Sequence, residues 1–263
     1  MSSAAQTIED PVGDAIAEAA PAALAAKAQQ PAGRMIVLAI FAGAFIAFGS
    51  VASLVAQANM GDGGSVHMLS GIAFSVGLMM VMIVGAELFT GNTMMALATL
   101  TGDLGAGRMA KAWAVVWIGN LAGSVAIAVL FHAAGGLSDG VGEAASALVK
   151  TKLGKSALAI FCSAILANML VCLAVWMAMS ARTIPARILA IVGPVTVFVS
   201  AGLEHSIANM SILPLGWLAD AGQVPDLVGG FANLAVSTAG NIVGGGAVAL
   251  GVAYGHDVWR RAG

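Results

Sequence analysis

His205 follows Glu204 deep inside apolar sequence, in the segment GLEHSIANM. A second acid, Glu87, lies equally deep in GAELFTGNTM. Charge in such surroundings is costly, so each of these groups needs a reason to be there. The two segments echo one another: Gly85 and Gly202, Glu87 and Glu204, and Asn92 and Asn209 are each 117 residues apart. A further echo sets GNLAG (119–123) against GNIVG (240–244), which pairs Asn120 with Asn241 at an offset of 121. An imidazole titrates near neutral pH, so His205 can share a proton with a small ligand. The two carboxyls can border a passage, or they can cap helix ends and tie a break in the chain together; the second is the expectation for Glu87 and Glu204. Asn120 is expected to be interhelical glue, and Asn241 either glue or the lining of a passage.

Such residues must be held by something that is not an ordinary globule. Of the 263 residues, 59% are hydrophobic and 9% are charged, against roughly 25% charged in a soluble domain. Eleven basic and thirteen acidic residues leave a net charge of -2, which excludes the dense basic footprint of a nucleic-acid binder. The apolar content excludes disorder. A multi-pass all-α membrane protein remains. Six runs are apolar and long enough to cross a bilayer: about 35–58, 67–100, 113–134, 155–180, 188–213 and 227–254. The second is too long for one simple crossing, and the fifth is interrupted by Glu204 and His205. The intervening stretches, including the long GGLSDGVGEAASALVKTKLG, read as polar turns.

Six spans put both ends of the chain on one side. Lys27, Arg34, Arg108, Lys111, Arg182, Arg187, Arg260 and Arg261 then share that side, while only Lys150, Lys152 and Lys155 fall on the other. The positive-inside rule makes the first side the cytoplasm, so the expected location is the cell (inner) membrane. Residues 1–34 form a cytoplasmic segment whose Ala-rich part, 14–27, is expected to be an amphipathic helix lying on the membrane face or against a neighbour. Residues 35–254 form the membrane domain and 255–263 a cytoplasmic tail. Two echoes in register with a three-plus-three division mean that the halves are inverted repeats, because three is odd. Such repeats meet at mid-membrane through broken helices, here the second and fifth. The spacings Gly119/Gly123 and Gly240/Gly244 suit close helix approach. Cys162 and Cys172 face different sides of one helix, so no disulfide is expected, and both are expected to be buried. The 14 methionines are scattered and make no metal cluster. His67, His132 and His256 fall at span ends or in the tail and are expected to be interfacial.

The segments LEHSIANM, ELFTGNTM, ILANMLVCLAVWM and STAGNIVGG resemble the formate/nitrite transporter family, over about residues 10–254. The resemblance implies an aquaporin-like protomer of six spans, a homopentamer in the membrane lipid, and a pore in each protomer for small monovalent anions such as formate or nitrite, hydrosulfide or lactate. It implies no cofactor. Its central histidine corresponds to His205, its central threonine to Thr90, and its asparagines of the fourth and sixth spans to Asn168 and Asn241. Its vestibule lysine corresponds to Lys152, with Lys150 and Lys155 close by. Its hydrophobic constrictions correspond to Phe74, Leu78 and Phe198 on the outer side and Leu88 and Phe89 nearer the cytoplasm. By residue type alone, Lys152 is a solvated loop charge and Thr90 a hydroxyl bonded to a carbonyl at the break.

Magnitudes favour passage as the neutral acid. A bare anion in a low-dielectric constriction costs on the order of tens of kcal/mol in the Born limit. Protonating a carboxylate of pKa near 4 at pH 7 costs about 4 kcal/mol. Lys152 would concentrate the anion, and His205, Thr90, Asn168 and Asn241 would hold it, with proton-coupled transport of formate as the expected activity and nitrite as the alternative. A water or glycerol pore is disfavoured by the lack of paired Asn-Pro-Ala motifs. A membrane-embedded enzyme is disfavoured by the lack of HExxH, GxSxG or paired intramembrane aspartates.

Overall fold

A computed structural model describes residues 13–61, 63–220 and 222–258. Asp10, Arg260 and Arg261, and with them the outer parts of the expected terminal segments, lie outside the described residues. The described residues form eleven helices: α1 (Asp14–Ala28), α2 (Ala32–Gln57), α3 (Gly64–Val84), α4 (Phe89–Asn92), α5 (Met95–Leu100), α6 (Ala106–Ala133), α7 (Val141–Leu153), α8 (Ala157–Ser180), α9 (Ile184–Ser200), α10 (Ser206–Ala219) and α11 (Leu227–Gly255). Five of them, α2, α3, α6, α8 and α11, are long and apolar enough to cross a membrane alone. The fifth expected span is divided between the shorter apolar helices α9 and α10.

Both breaks have a local cause. Gly85 ends α3 in a left-handed conformation (φ 77°), and Gly202 follows α9 at φ 62°. Glycine adopts this geometry without the penalty other residues meet. The second expected span thus becomes α3, a short extended stretch, and α4 with α5. The fifth becomes α9, a matching stretch, and α10. In each half the first and third crossings pack together, α2 on α6 and α8 on α11, and the intact parts of the broken spans, α3 and α9, meet across the repeat axis. The re-entrant pieces cross over: α10 packs on α6, α7 and α2, while α4 and α5 pack on α8 and α11.

Glycines set how closely these helices approach. A Cβ at Gly123 would overlap the carbonyl of Ile40 in α2, and one at Gly244 would overlap the carbonyl of Ile165 in α8. Gly123→Ala should therefore lower the melting temperature of the detergent-solubilised protein by several degrees, in line with an overpacking cost of about 1–3 kcal/mol. Gly33→Ala, where a Cβ meets nothing within 4 Å, is the control and should leave the melting temperature unchanged; equal melting of the two variants would refute the packing argument.

Two expectations need correction, and between two alternatives the structure selects one. The stretch 135–154 is not only turns, because it contains α7, whose face of Val141, Ala145, Val149 and Lys152 is buried. Cys162 is exposed and Cys172 buried: α8 buries one stripe, through Ala164, Ala167, Asn168, Val171 and Cys172, and Cys162 falls outside it. Of the two placements open to the N-terminal helix, α1 takes the one against the protein, burying Ala17, Ala20, Leu24 and Ala28 on α5 and its neighbours. Its first turn is tied to the end of α11 by the Asp14–His256 pair.

Candidate functional site

The site is a partition between two cavities, and the breaks in the helices build it. Each break is held by one buried asparagine. Asn120 Oδ1 accepts from Phe89 N (2.9 Å), while its Nδ2 donates to Ala39 O (2.7 Å) and Glu87 O (2.9 Å). Asn241 repeats this: its Oδ1 accepts from Ser206 N (2.9 Å), and its Nδ2 donates to Ala164 O (2.8 Å) and Glu204 O (3.1 Å). Backbone freed by the break is thereby satisfied inside the protein, as a membrane interior requires. These bonds take up both amide hydrogens of Asn241 and give its carbonyl oxygen one backbone donor. Asn241 thus braces its break as Asn120 does, the first of the two roles expected of it.

The carboxyls also pair. Glu87 Oε2 accepts from Asn92 Nδ2 (2.9 Å) and Lys27 Nζ (3.0 Å), and its Oε1 accepts from Gln30 Nε2 (2.8 Å). Glu204 Oε2 accepts from Asn209 Nδ2 (2.8 Å) and Lys152 Nζ (3.0 Å), and its Oε1 accepts from Lys155 Nζ (2.7 Å). Their amides are also bonded, Glu87 N to the backbone carbonyl Leu38 O (3.2 Å) and Glu204 N to the hydroxyl Ser163 Oγ (3.0 Å). Both acids tie the breaks together, and none of this leaves a free carboxylate. Lys152 is not a solvated loop charge; α7 carries it inward until 5% remains exposed. Burial pulls its ammonium below the ordinary lysine range, and the Glu204 carboxylate opposes that shift. The lysines and Gln30 that complete these clusters escape a sequence reading, apart from Lys152, because the contacts span 49 to 60 residues. The one signal for them is that an acid repeated in two halves implies a cation repeated as well.

Between the breaks, His205 Nε2 and Thr90 Oγ1 lie 3.0 Å apart, both buried. His205 is also the N-cap of α10: its Nδ1 accepts from Ala208 N at 3.1 Å. A ring nitrogen that accepts from an amide carries no proton, so Nε2 bears the hydrogen and donates it to Thr90. The Thr90 hydroxyl hydrogen is then free to turn to a ligand. Asn168 Nδ2 donates to Asn241 O (2.6 Å), with Thr93 Oγ1 (3.0 Å) and Thr90 O (3.2 Å) also in reach. Asn168 Oδ1 is buried and has no partner. Thr93, which donates to Thr90 O at 2.6 Å, belongs to this cluster and was not singled out from the sequence.

Apolar side chains close the partition on both sides. Phe74 and Phe198 meet edge to face with ring centroids 5.5 Å apart, and the His205 ring stacks on Phe198 at 5.6 Å. Both phenylalanines border a cavity of about 610 Å³ that also meets Lys152 and the serines Ser50, Ser53 and Ser70. Leu78 and Leu88 border a second cavity of about 240 Å³, covered by Leu24 and Lys27 of α1. Two constriction assignments therefore change. Leu78 belongs with Leu88 rather than with Phe74, because one helical turn carries it about 6 Å deeper along the same face of α3. Phe89 turns away from the path: its ring meets Trp113 edge-on at 6.2 Å and lines a lateral groove. Leu88 is the extended N-cap of α4 and Phe89 its first helical residue, and the two border different cavities.

Two cavities, inverted breaks and a buried polar pair at their meeting point accord with the comparisons. The family pattern described as formate/nitrite transporter matches residues 14–255. The chain belongs to the formate/nitrite transporter family. It is 34% identical to the formate channel FocA of Escherichia coli (strain K12), over 91% of this chain and 92% of that one. It is 35% identical to the nitrite transporter NirC of the same strain, over 83% and 81%. A solved structure described as a pentameric formate channel with formate bound superposes with a TM-score of 0.77 at 33% identity, covering 88% of this chain and 97% of its own. The fold is thus that of the family's channels, and the protein is a multi-pass membrane transporter rather than an enzyme.

Proposed function

We propose that this chain forms a homopentamer in the inner membrane, with both termini cytoplasmic, and that each protomer conducts formate, with nitrite as a second substrate. The alignment with the formate channel covers more of the chain than that with the nitrite transporter, which supports formate first. The orientation rests on the basic residues at the ends of the spans. The observation that carries the reading is the partition itself: a buried, neutral His205–Thr90 pair between two apolar constrictions, each opening to its own vestibule.

The arrangement suits a neutral acid. Formate gathers as the anion beside Lys152, takes a proton, and crosses between Phe74 and Phe198 as formic acid. Thr90 Oγ donates to its carbonyl oxygen, and Asn168 Oδ1 is an acceptor for its hydroxyl. A carbonyl acceptor would repel the anion and welcomes the acid. His205 fixes Thr90 from the opposite side, with Glu87, Glu204, Asn92, Asn209, Asn120 and Asn241 holding the frame. Leu78 and Leu88 form the second constriction, toward the cytoplasm.

Reconstituted protein should take up labelled formate, and at fixed total formate the initial rate should fall by up to about tenfold per pH unit above the substrate pKa. Uptake with no pH dependence would overturn the neutral-acid route, and absence of uptake of both formate and nitrite would overturn the transport assignment. Native mass spectrometry in mild detergent should show five copies; a dominant monomer or dimer would refute the pentamer.

A further inference from the structure

Around the two carboxylates the mouths are built from similar bonds, and they differ at one oxygen. At both, one carboxylate oxygen accepts from an asparagine and a lysine: Asn209 and Lys152 on Glu204, Asn92 and Lys27 on Glu87. The other oxygen differs. Glu204 Oε1 accepts from the Lys155 ammonium at 2.7 Å, whereas Glu87 Oε1 accepts from the Gln30 amide at 2.8 Å. Two ammoniums against one carboxylate leave one net positive charge at the first mouth. One against one leaves none on the Glu87 pair at the second, and Arg108, bonded to Ala28 O (3.1 Å) and Gln29 O (3.2 Å), does not border that cavity.

Placement turns this difference toward the pore. Lys152 borders the larger cavity; Lys155 does not, and reaches the carboxylate from its other side. Lys155 is further fixed by donating to Gly202 O at 2.8 Å, in the left-handed turn that breaks the helix. Among the described residues no carboxylate borders either cavity, and the nearby Lys150 is opposed by Asp220. With Glu204 already balanced by Lys155, the charge of Lys152 is left facing the cavity uncancelled. At the other mouth, Lys27 borders the cavity with its charge cancelled by Glu87.

We propose that Lys155 is a positioning residue that keeps the Lys152 charge effective, so that the Lys152 mouth captures small monovalent anions at lower concentration than the Lys27 mouth. The inference rests on the reading of the chain as a formate conduit, and it is independent of which mouth faces the cytoplasm. The test is the half-saturating formate concentration for flux from each face, in right-side-out and inside-out membrane vesicles. At physiological ionic strength, where charges beyond about 8 Å are screened, the value at the Lys152 mouth should be lower by about threefold, and further salt should bring the two together. A passive conduit has equal Vmax/KM from both faces, so the maximal rates shift along with the half-saturation values.

Lys155→Gln should raise the half-saturation value at its own mouth to that of the other, and Lys155→Arg should restore it. The reciprocal change, Gln30→Lys, should lower the value at the Lys27 mouth. Gln30→Lys adds the charge without removing a cation, so it carries the test even if Lys155→Gln fails to assemble. A purely structural role for Lys155 would change the number of working pores, which moves the maximal rates and not the half-saturation values. Equal values from both faces in the unaltered protein, or variants that shift both faces alike, would overturn the proposal. No formate flux in the unaltered protein would overturn the transport reading instead.

Discussion

His205→Asn should give a folded, pentameric protein whose formate uptake has lost most of its pH dependence and which passes ionic current. Asparagine is among the best N-cap residues, so the bond from Ala208 N and the start of α10 persist. What goes is the ring: its stacking on Phe198 and its Nε2–H to Thr90. The smaller side chain leaves room for water beside Thr90, and water lowers the cost of a bare anion in the partition, which otherwise excludes it. The slope of about tenfold per pH unit expected of neutral-acid passage should drop below about twofold. Uptake in proteoliposomes at about pH 5 to 8, all above the formate pKa, with an internal dye for protons and parallel current recordings in planar bilayers, reads both effects. An unaltered pH profile without current would mean that the apolar constrictions alone reject the anion.

Asn241→Leu should abolish assembly, and Asn120→Leu should do the same. Either change strands one amide and one carbonyl at a break, Ser206 N and Glu204 O in one case and Phe89 N and Glu87 O in the other, and takes a second bond from the helical carbonyls Ala164 O and Ala39 O. Each orphaned buried group costs about 1–3 kcal/mol, and two together are a large share of the about 5–15 kcal/mol that holds a typical domain. Fluorescence-detected size exclusion should show loss of the pentamer peak for both variants. A folded Asn241→Leu pentamer with altered formate affinity would return Asn241 to the substrate path.

The frame of this fold is legible in the sequence because it is written twice. Glu87 with Asn92 and Glu204 with Asn209 mark the breaks by repetition, and the glycines at 119, 123, 240 and 244 mark the close crossings. Depth and direction are less legible. Phe74 and Leu78 share one face of α3, and only the packed structure separates them onto opposite sides of His205. Leu88 and Phe89 are neighbours in a stretch too short for periodicity to orient them. α7 is hidden by its surroundings: its Ala, Glu and Lys residues favour a helix, but Gly135, Gly136, Gly140 and Gly154 around it read as turns. Lys27, Gln30 and Lys155 act on acids far along the chain, and nothing local announces such pairs.

Each half keeps its asparagine brace to itself and lends its re-entrant helices to the other. A single half could close the partition only with a second copy of itself inserted upside down. Two identical copies related by a twofold axis must present identical mouths. Joining the halves into one chain removes that constraint, since position 30 and position 155 then lie on one gene and can change one at a time. Glutamine at one and lysine at the other is a difference that an inverted dimer of identical halves could never hold.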